Sequence, residues 1–354
     1  MPPSIPRAAG ALLALALAAC APRGPVLRVP PAPALLEQTS GVTTVLQAVS
    51  AVSDDVAWVT GHSAAVLRTT DGGATWERLR VPGADSLEFR DVQAFDADLA
   101  WLLAAGPGDR SRIYRTTDGG RSWSAQFVND ERRAFYDCFA FFDRRRGVVV
   151  SDAVDGRLLV RATADGGEHW DLVPAAGVPA AREGEGAFAA SGTCLLTLGD
   201  RFAWIASGST AEARVYRSTD GGRSWAVTAV PVVSGEAAGA TSVAFRDARH
   251  GVALGGRIAA AADTANHGAV TLDGGVTWTR AGRPPFAGAV YGAVYVPGTT
   301  TLLATGPGGL ALSRDDGATW TGLATNGYWA VGFASGRTGW AVGPRGRITR
   351  IRFE

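Results

Sequence analysis

The sequence has 354 residues, of which 46% are hydrophobic, and its formal net charge is +1. This composition is sufficient for a large core, and the near-neutral charge gives no electrostatic basis for binding nucleic acid or an acidic membrane surface. All 34 basic residues are arginine, which excludes Schiff-base lysine chemistry and every catalytic motif that contains lysine.

Residues 1–20 have the pattern of a targeting segment. Arg7 precedes an apolar run at 8–19 that is too short for a permanent membrane span, and LAAC ends the segment at 17–20. This ending resembles the bacterial lipobox, so we expect a lipoprotein-type signal peptide with lipidation at Cys20. An ordinary signal peptide with an incidental cysteine is the alternative. Residues 21–34 contain five prolines and predict an extended tether. We therefore expect an exported chain that is lipid-anchored to the bacterial envelope, at the outer membrane or the periplasmic face.

A repeated motif dominates the rest of the chain. Six copies, from TTDGGATW at 69–76 to SRDDGATW at 313–320, place their first aspartates 47, 47, 55, 53 and 42 residues apart. A period near 40–50 with short β-rich flanks is typical of β-propeller blades, each of four antiparallel strands. The aspartate and tryptophan of each copy, which we predict to be structural, are Asp71 and Trp76, Asp118 and Trp123, Asp165 and Trp170, Asp220 and Trp225, Asp273 and Trp278, and Asp315 and Trp320.

The composition of the motif predicts a hairpin between the third and fourth strands of a blade. The glycines permit positive φ, the aspartate accepts backbone N–H groups of the turn, and the tryptophan fills the gap behind it. Calcium binding is the competing interpretation. Each copy offers only one or two carboxylates, whereas calcium prefers six or more oxygen ligands, so we expect no metal there.

Seven second strands can be recognised, one more than the number of motifs. They begin with AWVTG at 57–61 and end with GWAVG at 339–343. The last unit has three strands, and a propeller blade that lacks its outer strand can take one from the other terminus. We therefore predict an all-β, seven-bladed propeller of four-stranded antiparallel blades over residues 35–354. Residues near 35–40 would complete the last blade and close the ring.

The motifs, of the form [ST]-x-D-x-G-x-[TSH]-W, resemble the Asp-box, or bacterial neuraminidase repeat. The stretches FYDCFAFFDRRRGVVVSDAVDGRLL (135–159), GEGAFAASGTCLLTL (184–198) and GRTGWAVGPRGRI (336–348) resemble the photosystem II stability/assembly factor family and its bacterial relatives. This resemblance implies an exported seven-bladed propeller that acts as an assembly scaffold without known chemistry. Some relatives are instead labelled glycosyl hydrolase-like or oxidoreductase.

Signals for an active site are weak. The Arg-Ile-Pro motif of sialidases is absent, and no dinucleotide fingerprint lies in a βαβ context. The four histidines fall in separate units, so we expect neither a metal nor a cofactor. If the protein is a glycoside hydrolase, the candidates are Glu183 or Glu185 with Asp152 or Asp155. Glu183 and Glu185 can equally lie in a solvated loop. A redox protein with an unknown cofactor is a weaker alternative.

Cys138 and Cys194 occupy corresponding positions in units three and four, at the level of the innermost strand. Export permits a disulfide between them. Equivalent positions on neighbouring blades should face along the ring rather than toward each other, so the sequence favours two buried free thiols.

The longest and most variable loops are predicted on the face opposite the Asp-box turns, and functional residues tend to lie in such loops. Arginine is concentrated there, and its planar fork suits the carboxylates of a protein partner. We predict a monomeric, non-catalytic, lipid-anchored scaffold that binds protein partners in envelope assembly or maintenance; a glycan-binding or glycoside-hydrolysing propeller is the alternative. The candidate partner-binding residues are Arg110, Arg112, Arg132, Arg133, Arg182 and Arg257.

Overall fold

The structure is a computed structural model that describes Met1 and residues 32–354. Their strands form seven four-stranded antiparallel sheets, each a blade whose consecutive strands run from the central channel outward. The predicted all-β propeller is therefore confirmed. The signal peptide, the Cys20 lipidation site and the tether up to residue 31 lie outside the described residues. No helix among those described is long and apolar enough to cross a membrane.

The strand boundaries follow the predicted order in every blade. Blade one is β2 (Leu46–Ala51), β3 (Ala57–Gly61), β4 (Val66–Thr69) and β5 (Glu77–Arg78), and blade two is β6 (Phe89–Ala94), β7 (Ala100–Ala104), β8 (Arg112–Thr116) and β9 (Ser124–Val128). Blade three is β10 (Tyr136–Phe141), β11 (Gly147–Val154), β12 (Arg157–Thr163) and β13 (Asp171–Leu172), and blade four is β14 (Leu195–Leu198), β15 (Phe202–Ser207), β16 (Ala213–Ser218) and β17 (Ala226–Val230). Blade five is β18 (Ala238–Phe245), β19 (Gly251–Arg257), β20 (Gly268–Thr271) and β21 (Thr279–Arg280), and blade six is β22 (Gly292–Tyr295), β23 (Leu302–Gly306), β24 (Gly309–Ser313) and β25 (Thr321–Ala324). Blade seven is β26 (Ala330–Phe333), β27 (Thr338–Val342), β28 (Ile348–Arg352) and β1 (Ala34–Gln38).

The ring is closed by the N-terminal strand, as predicted. β1 pairs antiparallel with β28, from Ala34 opposite Arg352 to Gln38 opposite Ile348. The carboxamide of Gln38 donates to Gly72 O at 2.8 Å and accepts from the indole N–H groups of Trp340 and Trp76 at 3.1 and 3.3 Å. This side chain therefore ties the closing strand both to its own blade and to the Asp-box of blade one.

The Asp-box has the predicted mechanical role. Asp71 accepts the Thr75 N–H and hydroxyl at 2.9 and 2.6 Å, and Thr69 Oγ1 accepts the Gly73 N–H at 2.8 Å. Gly72 and Gly73 have φ values of 70° and 82°, in the left-handed region where a side chain would be strained. In the third copy His169 Nδ1 bonds to Asp165 Oδ2 at 2.7 Å and so replaces the hydroxyl of the other copies.

Tryptophans of the second strands link each of several blades to the next. Trp101 and Trp204 are fully buried, and their indole N–H groups donate to Gly166 O and Gly274 O of the following blade at 3.0 and 2.8 Å. The Trp204 ring also stacks on Phe245, with centroids 3.7 Å apart. Burial of such large rings between blades, with the polar N–H satisfied, stabilises the blade-to-blade interfaces.

The expectation of two free thiols is wrong, because Cys138 and Cys194 form a disulfide with a Cα–Cα distance of 6.0 Å. Two local irregularities change the predicted side-chain directions. A register shift between Tyr136 and Cys138 interrupts β10, and Cys194 lies before the first residue of β14 rather than within a regular strand. The two side chains therefore meet between the innermost strands of blades three and four.

Candidate binding site at the channel mouth

A segment of the loop between blades three and four closes the central channel. We call residues 187–194 the plug. It contacts the innermost strand of blade one through Gln47 Nε2, which donates to Ala189 O at 2.7 Å. It contacts blade six through the Ser191 hydroxyl, which donates to Tyr291 O at 2.6 Å. Together with the disulfide to blade three, these bonds fix the plug across the ring.

Glycine is required within the plug where it passes closest to blade two. Gly192 has a φ of 77°, and a Cβ there would collide with the carboxylate of Asp91. Asp91 accepts the backbone N–H groups of Val92 and Phe139 at 2.8 and 2.9 Å. Burial nevertheless raises the pKa of Asp91 well above its usual value. The buried Asp91 side chain therefore occupies the space beside Gly192 and helps to position the plug against blade two.

A cavity of about 230 Å³ lies over the plug on the loop-rich face. Small-molecule pockets have volumes on the order of 300–1,000 Å³, so this cavity is the size for a single side chain. The rings of Tyr291 and Trp329 line this cavity, and their centroids lie 4.6 Å apart. Its apolar residues come from different blades and from the plug: Phe135, Phe188, Ile258, Tyr291 and Trp329.

Polar groups from blades one to three lie among these aromatic residues. Arg90 donates twice to Glu88 Oε2, at 2.6 and 3.0 Å, and its guanidinium lies 5.9 Å from the centre of the Phe135 ring. His62 Nε2 bonds to Gln47 Oε1 at 2.7 Å, and burial lowers the pKa of this imidazole. The imidazole ring lies 6.4 Å from the Trp329 ring, so charged, polar and aromatic groups adjoin one another at the mouth.

Two carboxyl groups, of which Asp137 is buried and Asp152 half-buried, meet beside this cavity. Asp137 lines the cavity, is only 2% exposed and is in hydrogen-bond contact with the carboxyl of Asp152. Burial and then the neighbouring charge of Asp152 raise the pKa of Asp137 well above its usual value. Burial raises the pKa of Asp152 to about 6. Two like charges in contact cannot both ionise readily, so the pair holds a proton between them.

The four candidate catalytic residues do not share one set of contacts. Glu185 is buried, where Arg214 Nε donates to it at 2.9 Å and the Ser207 hydroxyl at 2.7 Å. Asp155 is exposed and binds Arg133 at 2.7 and 2.9 Å, and Glu183 is exposed. Asp152 contacts Asp137 instead.

This carboxyl pair does not have the spacing that glycoside hydrolysis requires. The two catalytic carboxyls of a retaining glycosidase are about 5 Å apart, and those of an inverting enzyme are farther apart. The carboxyls of Asp137 and Asp152 are in direct contact. Within residues 32–354, no group of three or more His, Cys, Asp or Glu side chains is arranged to hold a metal ion.

Most of the predicted partner-binding arginines make contacts within the chain. Arg133 binds Glu131 and Asp155, whereas Arg132 is exposed and has no ion pair among the described residues. The others also contact residues of the chain: Arg110 contacts Ser86 O, Arg112 contacts Asp109, Arg182 contacts Glu212 and Arg257 contacts Asp263.

The residues of the mouth itself were not among those predicted from the sequence. Arg90 and Asp137 lie near the start of β6 and β10, and Trp329 immediately precedes β26. Cys138 was assigned to the innermost strand, and side chains alternate along a strand, so its neighbour Asp137 was a residue that the sequence could have indicated. Phe188 gave no such signal because it lies in the plug.

Comparisons with known proteins agree with the fold. Residues 33–132 match the family model described as photosynthesis system II assembly factor YCF48, and a comparison with curated proteins found no match. A structure of YCF48 bound to D1 peptide has a TM-score of 0.66 and 17% identity, covering 92% of this chain and 98% of that one. YCF48 from Cyanidioschyzon merolae has a TM-score of 0.65 and 15% identity, covering 90% and 99%.

The structure of a GH74 xyloglucanase from Xanthomonas campestris is also similar, with a TM-score of 0.63 and 17% identity. The match covers 90% of this chain and 53% of that one. At such identities the likeness shows the fold alone. The family match over residues 33–132 and the propeller architecture confirm the resemblance inferred from the sequence: this chain is a seven-bladed propeller similar to the YCF48 photosystem II assembly factors.

Proposed function

We propose that this protein is a non-catalytic, lipid-anchored scaffold that binds a segment of a protein partner at the channel mouth during assembly or maintenance of the cell envelope. The observation that carries the proposal is the side-chain-sized cavity above the plug, where aromatic residues from several blades converge. Large aromatic side chains in partly desolvated pockets are typical energetic centres of protein interfaces.

The plug supports recognition at the surface rather than passage through the ring. It is fixed to several blades, so a ligand reaches the mouth only from the loop-rich face. The cavity accommodates one anchoring side chain, and the surrounding loops offer arginine-carboxylate pairs to the rest of a bound segment. The similar YCF48 structure bound to D1 peptide supports a peptide segment as the class of partner.

Trp329→Ala tests the site in the full-length chain. Loss of a central tryptophan from an interface costs about 2 kcal/mol or more, which is roughly a thirtyfold loss of affinity. The matched control is Leu272→Ala, since Leu272 is 60% exposed and adjoins the Asp-box of blade five on the other face. We expect crosslinked envelope proteins to be captured by the wild type and by Leu272→Ala but not by Trp329→Ala.

Equal capture by Trp329→Ala would show that the mouth is not the binding site. Failure of the wild type to capture any protein, together with turnover of a glycoside panel, would refute the scaffold function in favour of the glycosidase alternative. Lipid anchoring is supported by the sequence LAAC at 17–20 and has its own test. Cys20→Ser should move the protein out of the membrane fraction.

A further inference from the structure

The base of the cavity carries a carboxyl pair that holds one proton and one negative charge near neutral pH. Asp137 lines the cavity and is 2% exposed, yet its Oδ2 receives no N–H or O–H donor from outside the pair among the described residues. The plug holds the carboxyl pair in place, because the backbone N–H of Ala189 bonds to Asp137 and that of Ala187 bonds to Asp152. Burying an unmatched carboxyl is costly, so such a group suggests a ligand that supplies what is missing.

The charged neighbours do not neutralise this pair. Asp137 faces the carboxyl of Asp152 and the guanidinium of Arg90, but Arg90 already forms an ion pair with Glu88. On the other side of the pair, the main chain of Glu185 bonds to Ala153, while the Glu185 carboxylate is bound to Arg214. Burial lowers the pKa of His62, which therefore adds no positive charge near neutral pH.

We propose that the mouth receives a cationic side chain, lysine or arginine, of the bound partner segment, with its charged group on Asp137 and its alkyl stem against the aromatic wall. This inference rests on the proposed function and specifies the chemistry of the anchor. The aromatic lining of the cavity, which includes Trp329, suits a cation, since aromatic rings attract positive charge. The cation binds the singly ionised pair, and at acid pH it must displace the second proton, which neutralises the pair and is released to solvent.

This exchange makes binding dependent on pH. Below the pKa of the pair, a cation must displace a bound proton, so affinity falls as the pH falls. The pKa of Asp152 is about 6, so the change should lie between pH 7.5 and pH 5. We expect the dissociation constant of a cationic probe to rise about tenfold over this interval.

The probes are N-acetyl-lysine N-methylamide, its arginine counterpart and the uncharged N-acetyl-norleucine N-methylamide, titrated into the full-length chain by indole NMR. At pH 7.5 at least one cationic probe should bind fivefold or more tightly than norleucine. Asp137→Asn should abolish that preference. Asp200→Asn should retain it, because Asp200 is exposed in the first-to-second-strand turn of blade four, on the Asp-box face.

Asp152→Asn provides a second variant in case Asp137→Asn fails to fold. It removes the carboxyl whose pKa is about 6, so the change in probe affinity between pH 7.5 and pH 5 should be lost. Equal binding of norleucine and the cationic probes, or no binding of any probe, would overturn the cationic anchor. The capture experiment with Trp329→Ala decides the scaffold function separately, so the two failures are distinguishable.

Discussion

The disulfide between Cys138 and Cys194 leads to a quantitative prediction about stability. It joins the innermost strand of blade three to the end of the plug and closes a loop with a sequence separation of 56 residues. Restricting an unfolded chain by a loop of that length contributes about 4 kcal/mol to the free energy of unfolding in the chain-entropy treatment. Because both cysteines are fully buried, we expect the bond to open only when the protein unfolds or is reduced in denaturant.

The measurement compares oxidised and reduced protein in a Cys20→Ser background, which removes the remaining cysteine. Urea unfolding, followed by tryptophan fluorescence, should give a free energy about 4 kcal/mol lower for the reduced chain. The control is Cys138→Ala/Cys194→Ala, whose unfolding should not respond to reductant. Thiol titration of the unfolded Cys20→Ser chain should find no thiol before reduction and two after it, since the sequence has three cysteines.

Two results would refute this reasoning in different ways. If two thiols titrate in the oxidised, unfolded chain, the pairing itself is wrong. If the bond is present but reduction changes the free energy of unfolding by less than about 1 kcal/mol, the loop-entropy account is wrong for this protein. In that case the plug would have to remain ordered without its covalent link.

Three further predictions concern structural contacts. Hydrogen bonds, the strongest from the Ser122 hydroxyl, lower the pKa of Asp118 to about 2. The ionised Asp118 therefore contributes to stability above pH 4, and this contribution is lost as the pH falls toward 2. Asp118→Asn should flatten this part of an acid-unfolding curve. Gln38→Ala leaves two indole N–H groups and a carbonyl without their partner, and should lower the free energy of unfolding in urea by about 2 kcal/mol; a loss below about 0.5 kcal/mol would show that Gln38 does not secure the ring. Arg214→Met leaves the Glu185 carboxylate buried and unpaired, and should cost about 3–5 kcal/mol. The double variant Arg214→Met/Glu185→Gln should recover most of that loss, and failure to recover it would contradict a role confined to charge pairing.

The sequence by itself determined the architecture. Each Asp-box hairpin is specified within eight residues, because the aspartate bonds to groups of its own turn and the turn residues take positive φ; in the second copy the tryptophan also bonds within the turn. The spacing of the copies gave the size of the blade, and the missing seventh copy predicted the closing strand that pairs with β28. These features depend on short-range turn chemistry and periodicity, which are present in any one stretch of the chain.

Only the tertiary structure decided the composition of the mouth. Asp137 and Asp152 lie at register shifts in β10 and β11, and the repeated motifs of the sequence do not mark these shifts. Phe188 and Trp329 are far apart in the chain, yet the ring closure and the plug bring both to one cavity. Local propensity fixes which residues turn, whereas convergence at the channel depends on how seven blades pack around an axis. For that reason the sequence identified the loop-rich face but not the cavity at its centre.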